Sequence, residues 1–532
     1  MRTSFRSHRP SFRHMLAALL LGALLLCPAA ASAASSYLTC AIVATDDLEL
    51  RPLELNQRDV VSVLDLVYEG LFAMDDNYMP QPELAYSYEF ISDGRRLRVV
   101  LRDDVTFHNG EPLTANDVVA TLDYMFELTG FDSDLNSEFD AADRGLYYST
   151  FYSIKSWEAE DDRTLLLNLR RACYGSLYAL TFPILPASEV SSAMPSGTGP
   201  YAYDGYERSS AIWLKANKSW WKRMPQVTNI RASIYKDSEA ALNAFDTQSV
   251  DVAMTRSINA SRYSGSLNSF SLTARTRQLE VLLMNRAYKY LKSDDNGKNL
   301  VRDAISYAIN RSELISSVYQ GMATVAYTPV PAGTWLSNES TIRDVYDPLM
   351  AESLLDQAGW KMADDGQRYK DGKAMESFRI LVYDEPGSTV RTNAANKIAE
   401  QLKAVGIPAY VATWSRGDVI TKLKSGDYSL ALCAFNFDVG PDPGFTLTST
   451  ASCNYTRYRS DDMNSLLTQL RSSVTSADYQ NAMSLIQDQF EQDIPYLCLY
   501  WRTGALLSRS AFTDARDIRE LELLRGVESF SH

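Results

Sequence analysis

The sequence predicts an α/β protein built from more than one domain, and three observations carry that expectation. At 532 residues the chain is too long for one hydrophobic core, so two or three domains follow. It is 45% hydrophobic and 22% charged with no low-complexity tract, the composition of a globular fold. In its last third, apolar runs alternate with helical patterns, the order that lays helices over a parallel sheet.

In chain order, Arg2, Arg6, Arg9 and Arg13 precede the apolar run Met15 to Leu26, and Ala31-Ser32-Ala33 offers a small-residue cleavage site. Residues 1–33 therefore read as a secretory signal, too short in the apolar part for a spanning helix, with a retained anchor as the alternative. Lipid anchoring at Cys27 is disfavoured, because Leu25-Leu26 stand where acylation wants small residues. No later stretch is apolar enough to cross a bilayer, so the mature protein is expected to be soluble and exported.

Leu38 to Ala44 reads as a buried strand. Tyr86, Tyr88 and Phe90, the turn Ser92-Asp93-Gly94, and Leu97, Val99 and Leu101 read as a hairpin with one buried face. After the Phe107-His108-Asn109-Gly110 turn, Thr114 to Asp117 opens a helix with a capping-box pattern, continued by Val118, Val119, Leu122 and Met125. Between Asp132 and Asp143, oxygen donors fall at positions 1, 3, 5, 7, 9 and 12 of an EF-hand-like loop. Ser137 replaces its glycine and Asp143 its bidentate glutamate, so a solvated loop is the first reading.

Gly197-Thr198-Gly199-Pro200-Tyr201-Ala202 fits a dinucleotide loop only on paper, since Pro200 and the alternating Tyr201 and Tyr203 lead into a strand. Ala304, Ile305, Ala308 and Ile309 line one helix face. Phe378 to Tyr383 is a strand, and Ala395, Ile398, Leu402 and Val405 form a helix face stopped by Gly406. Ile407 to Trp414 is the next strand, Asp418 to Lys424 a short helix, and Tyr428 to Phe437 a nearly continuous apolar strand. The last, Tyr496 to Trp501, is expected to carry the chain back toward its first half.

Several of these segments together resemble the family 5 extracellular solute-binding proteins, the peptide- and oligopeptide-binding group of ABC importers. The resemblance starts with Tyr68-Glu69-Gly70-Leu71, Pro82-Glu83-Leu84-Ala85 and the run Ser92 to Val118. It continues through Gly197 to Tyr201, Asn217 with Trp220-Trp221, Ala240 to Val252 and Arg302 to Arg311, most of the mature chain. Gln248 departs from the family's usual glycine at a turn.

The resemblance implies an α/β, two-lobed fold of the periplasmic-binding-protein kind (class II) with an additional inserted subdomain. Lobe one would be 34–80, 191–280 and 502–532, the subdomain 81–190, and lobe two 281–501. It implies capture of a di- to oligopeptide in an interlobe cleft by a monomer that serves an ABC permease. Residue by residue, the ligand's ammonium group falls to Asp438, at a strand end seven residues before Phe445. Capping the following turn is the other reading of Asp438. Backbone groups of Ala434 and Asn436 would pair with an extended ligand, Phe435 and Trp414 would be aromatic walls, and Tyr68 and Glu69 would face the cleft from lobe one. Some relatives carry an arginine before the acid for a ligand carboxylate; here that region has Leu430 and Leu432, with Lys422 or Lys424 as substitutes.

Composition narrows the rivals. Without residues 1–33, which hold four arginines and no acid, the net charge moves from −14 to −18, against nucleic acid or anionic lipid as partner. Only His108 and His532 then remain, so histidine-dependent triads and histidine-rich metal sites are hard to assemble. No G-x-S-x-G, H-E-x-x-H or Walker A pattern occurs, and no cofactor or metal is expected. Neighbouring acids such as Asp75-Asp76 and Asp103-Asp104 keep a carboxylate-dyad hydrolase as the rival class, and an oligosaccharide or metal chelate as the rival solute. Of Cys40, Cys173, Cys433, Cys453 and Cys498 at least one stays free, and Cys433 with Cys453 is the local candidate pair.

Overall fold

Two long antiparallel strands, Phe270–Met284 and Leu497–Ser508, run through the centre of the computed structural model. Residues 37–45, 48–129, 147, 153–294, 297–342, 345–385, 388–437, 440–510 and 518–527 are described. The signal segment with Cys27, the loop Asp132 to Asp143 and Asp438 lie outside them. The paired strands are the middle of an eleven-stranded sheet within one compact unit, Leu38–His532.

On one side follow Leu430–Asn436, Phe378–Tyr383 and Ala409–Trp414, with Phe378–Tyr383 parallel to both neighbours. On the other side Leu38–Val43 lies parallel to both Val252–Thr255 and Asn229–Tyr235. Ala211–Ala216 and Tyr201–Glu207 extend that edge in antiparallel fashion. Each half thus has a parallel core, and its central strands are apolar on both faces because helices cover them. Leu430, Ala431, Leu432 and Cys433 are all buried. Helix Val390–Ala404 buries Ala394, Ala395, Ile398 and Leu402 against this half, and Gly406, at φ +82°, ends it as expected.

A separate four-stranded antiparallel sheet, in the order Ala85–Ile91, Arg96–Leu101, Thr164–Leu169, Ile154–Ala159, stands on this frame. Leu97, Val99, Leu101, Leu165 and Leu167 are wholly buried, as are Val118 and Leu122 of helix Ala115–Thr129. One half of the capping box forms: Asp117 Oδ2 accepts from both the amide and the hydroxyl of Thr114, at 2.8 and 2.7 Å, while the Asp117 amide bonds the Thr114 carbonyl. Tyr86 departs from the expected buried face. A register shift between Ala85 and Ser87 leaves it unpaired, and it is 69% exposed.

The Gly197-Thr198-Gly199 element is explained by close backbone approach. A Cβ on Gly197 would lie 1.9 Å from the Val67 carbonyl oxygen, and one on Gly199 2.7 Å from that of Leu66. His108 serves the same junction, accepting from the Gly197 amide at Nδ1 and donating from Nε2 to the Gly199 carbonyl. Burial pushes its pKa down, so the ring stays neutral in this structural role.

Three other expectations change. The disulfide between Cys433 and Cys453 is absent: all five described cysteines are free, and burial raises the thiols of Cys40, Cys433 and Cys498. The helix whose face was expected to include Ile309 stops at Ala308, with Ile309 as its C-terminal cap, and the Asn310 side chain accepts the Glu313 amide and starts a new helix, Arg311–Ser317. The last strand runs past Trp501 to Ser508, crossing the whole sheet centre. Gln248, where glycine is usual, sits at φ +62°.

Candidate functional site

The crossing strands do not pair evenly. Arg275 faces Thr503 and Leu279 faces Trp501, so three residues of one strand oppose a single residue of the other. Such a bulge bends the strand and re-aims its side chains. It is pinned in place: the Thr276 hydroxyl donates to the Arg502 carbonyl at 2.5 Å, and Glu520 accepts the Arg277 amide at 2.9 Å. Arg58 at 2.6 Å and Arg256 at 3.2 Å hold Glu520. Burial opposes its charge, yet these two cations outweigh burial and keep its carboxyl below the usual range.

Above the bulge lies a cavity of about 350 Å³. Thr273, Arg275, Arg277, Trp501 and Thr503 form its floor, with Arg502 at one edge. Met74 and Tyr78 close one side, Tyr178 comes from the inserted segment, and Val330 to Leu336 with Thr324 form the far wall. Phe437, Gly440 and Pro441 complete it. Phe437 lies 5.4 Å from the Trp501 ring and 5.1 Å from Phe445. The far wall is fastened by Trp335, whose indole N–H lies 2.8 Å from the Tyr178 hydroxyl and 3.2 Å from the Tyr78 carbonyl. Its amide donates to the Asn77 carbonyl at 3.0 Å.

Two polar atoms of the floor, Trp501 Nε1 and Thr503 Oγ1, are buried without a hydrogen-bond partner among the described residues. Beneath the floor is a buried charge cluster. Arg391 grips both oxygens of Glu280 and reaches Glu385 at 2.9 Å, while Arg502 stands 3.5 Å from Glu385. Burial drives the Glu280 carboxyl upward, and Arg391 and Arg502 only partly restrain it. Among the described residues, no group of histidine, cysteine, aspartate or glutamate side chains could hold a metal ion.

The residues singled out in the sequence scatter around this cavity. Asn436 and Ala434 pair with Gln278 and Glu280 through their backbones. On their other edge, register with Phe378–Tyr383 ends at Leu432. Phe435 is buried in the core between Phe445 and Tyr496, and Phe437, two residues on, is the aromatic wall. Trp414 lies on the edge strand, 42% exposed, with the Lys422 ammonium 4.5 Å from its ring and itself paired to Asp427. Tyr68 is buried and donates to the Pro195 carbonyl at 2.7 Å.

Glu69 is likewise buried, accepting from Thr198 and Trp221 at 2.8 Å and from Trp220 at 3.1 Å. Burial, with Glu83 adding, pushes its carboxyl up to about 7 against the pull of Lys222. Neither Tyr68 nor Glu69 lines the cavity. Sequence reasoning missed Arg275, Arg277 and Trp501. A signal was present: Thr273, Arg275 and Arg277 alternate along a strand that turns wholly apolar only after Glu280.

Comparison with known proteins adds family and fold. The family model described as bacterial extracellular solute-binding proteins, family 5 Middle, matches residues 79–457. The oligopeptide-binding protein AppA of Bacillus subtilis (strain 168) is 25% identical over 472 residues, covering 82% of this chain and 81% of AppA. The crystal structure of NikZ from Campylobacter jejuni in complex with Ni(L-His) superposes with a TM-score of 0.69 at 21% identity, covering 94% of this chain and all of that one. NikA from Brucella suis in complex with Fe(III)-EDTA gives 0.73 at 19% identity, over 93% and 99% of the two chains. The fold is that of the two-lobed α/β periplasmic binding proteins. No helix among the described residues is long and apolar enough to cross a membrane.

Proposed function

The chain belongs to the bacterial extracellular solute-binding proteins of family 5, and on that premise we propose that it captures a short peptide and hands it unchanged to an ABC permease. The observation that carries this reading is the origin of the cavity walls. Taking lobe one as 34–80, 191–280 and 502–532, it contributes Tyr78, Arg275 and Thr503. Lobe two, 281–501, contributes Trp335, Phe437 and Trp501, and the subdomain, 81–190, contributes Tyr178. A guest touching both lobes favours the closed form in proportion to the contacts it makes only there. A volume of about 350 Å³ is near the small end of ligand pockets, which favours short peptides over long ones.

In this reading Asp438, between the cavity-lining Phe437 and Gly440, receives the peptide ammonium group. The edge of Leu430–Asn436 beyond Leu432 accepts the peptide backbone as an added strand. Export by the N-terminal signal brings the protein to the cell envelope, where it works as a monomer without covalent chemistry. The experiment is native mass spectrometry of the purified protein, followed by calorimetry with peptide pools. Retained peptide and a binding isotherm that Asp438→Ala weakens about tenfold or more support the reading. Absence of any peptide binding overturns it, and unchanged binding in Asp438→Ala removes that residue from the site.

A second reading has one observation in its favour. NikA is seen with Fe(III)-EDTA, an anionic chelate, and the cavity here carries Arg275, Arg277 and Arg502. Direct metal ligation is not part of either reading; a chelate would bring its own ligands.

A further inference from the structure

Two side chains outside the cavity hold its shape. Arg519 and Glu520 belong to the C-terminal segment 518–527; both are buried, and neither lines the cavity. The segment docks on the floor strand where the bulge begins. The Arg275 amide donates to the Ile518 carbonyl at 2.9 Å, and the Glu520 amide donates to the Arg275 carbonyl at 2.7 Å. These two bonds make a short parallel bridge between Arg275 and Arg519. Glu520 Oε2 then takes the Arg277 amide at 2.9 Å. Three backbone groups of the bulge are thus bonded to this one segment.

Arg519 reaches the other way. Its guanidinium donates to the Met74 and Asp75 carbonyls, both at 2.7 Å, and lies 4.7 Å from the Tyr78 ring centre. Met74 and Tyr78 close one side of the cavity, and Tyr78 holds φ +65°, a left-handed backbone that a tyrosine rarely adopts. Arg525 adds a 3.3 Å bond to the Met74 carbonyl and a 3.0 Å pair with Asp76. Two adjacent residues therefore fasten the floor and one side wall to each other. Glu520 is itself held by Arg58 and Arg256, and Arg256 by Asp59 at 2.8 Å, so the bracket is anchored in lobe one. Contacting groups serve a guest well only when their supports hold them to a fraction of an ångström.

Resting on the solute-capture reading, we propose that Arg519 and Glu520 are positioning residues for the guest. They fix Arg275 and Arg277 of the floor against Met74 and Tyr78 of the side wall, so affinity depends on two side chains outside the cavity. A residue that only stabilises the fold leaves affinity unchanged wherever its variant is fully folded. A positioning residue lowers affinity there too.

The test is calorimetry with the dipeptides Ala-Ala, Ala-Phe, Ala-Glu and Ala-Lys, at a temperature where melting curves show the proteins folded. Wild type is compared with Glu520→Ala, Glu520→Gln and Arg519→Met, and hydrogen exchange of the guest-free proteins follows the strand Phe270–Met284. Glu520→Ala should weaken the tightest dipeptide about tenfold or more and speed exchange across Arg275 to Arg277. Glu520→Gln keeps an oxygen for the Arg277 amide, so it should retain most of the affinity and the slow exchange. It should still melt lower, because Arg58 and Arg256 lose their counter-charge. Arg519→Met should also lose about tenfold, and it decides the matter if Glu520→Ala does not fold. Unchanged affinity in a folded Glu520→Ala or Arg519→Met overturns the proposal and leaves peptide capture standing. An affinity loss in Glu520→Gln as large as in Glu520→Ala overturns the part given to the Glu520 oxygen. No dipeptide bound by the wild type overturns peptide capture, and the proposal with it.

Discussion

Replacing Arg391 by methionine tests the charge cluster beneath the cavity. The side chains of Arg391 and Glu280 are 1% and 0% exposed, and the guanidinium holds both carboxylate oxygens while its plane lies 4.2 Å from the Tyr383 ring centre. Methionine keeps most of the apolar stem and removes the charge. The cation then nearest Glu280 is Arg502, at 4.0 Å. Breaking a buried pair by deleting one partner costs about 3–5 kcal/mol, and Arg502 returns part of that, so a loss of about 3 kcal/mol is expected.

Its pH dependence has a definite sign. Burial already raises the Glu280 carboxyl, with Arg391 the larger of the two charges pulling it down, so the variant raises it further. A group with a raised folded-state pKa gives stability that is present at low pH and lost as pH rises through that value. The variant's deficit should therefore be full at pH 8 and smaller at pH 5, where Glu280 can take a proton. Equilibrium urea unfolding at both values measures this. A deficit under about 1 kcal/mol at pH 8, or an equal one at pH 5, would refute the reasoning.

Glu69, with its carboxyl raised to about 7, should make the protein lose stability between roughly pH 4.5 and 7 as the buried group ionises. Glu69→Gln should flatten that part of the stability profile, as read by thermal melting across the range. Gly197→Ala forces a Cβ to within 1.9 Å of the Val67 carbonyl and should cost about 3 kcal/mol or more, seen as a lowered urea midpoint. Trp335→Phe keeps a ring but deletes the indole donor to Tyr178 and Tyr78. It should weaken solute affinity by about tenfold with little change in global stability, checked by calorimetry beside a melting curve.

Local patterns were read well where one segment's own periodicity decides its structure. Phe378–Tyr383 is found with its expected bounds, and Gly406 stops the preceding helix because only a left-handed residue closes that turn. The differences between local pattern and structure have tertiary causes. Tyr86 was assigned to the buried face by alternation, but a register shift that depends on the partner strand put it outside. Phe435, expected as an aromatic wall, packs between Phe445 and Tyr496, while Phe437 lines the cavity. Tyr68 and Glu69, expected to face the cleft, are buried and bond Pro195 and Thr198 beside the Gly197 to Gly199 element.

By itself, the sequence determined the α/β class, the order of strands and helices, and the family, because each rests on short-range spacing and on motifs that survive in one dimension. Tertiary structure alone decided which side chains share a cavity. Arg275 meets Thr503 across more than two hundred residues of chain, and a bulge of two extra residues turns its neighbours toward the gap. Strand register of that kind follows from the packing of both halves at once, and neither strand encodes it alone.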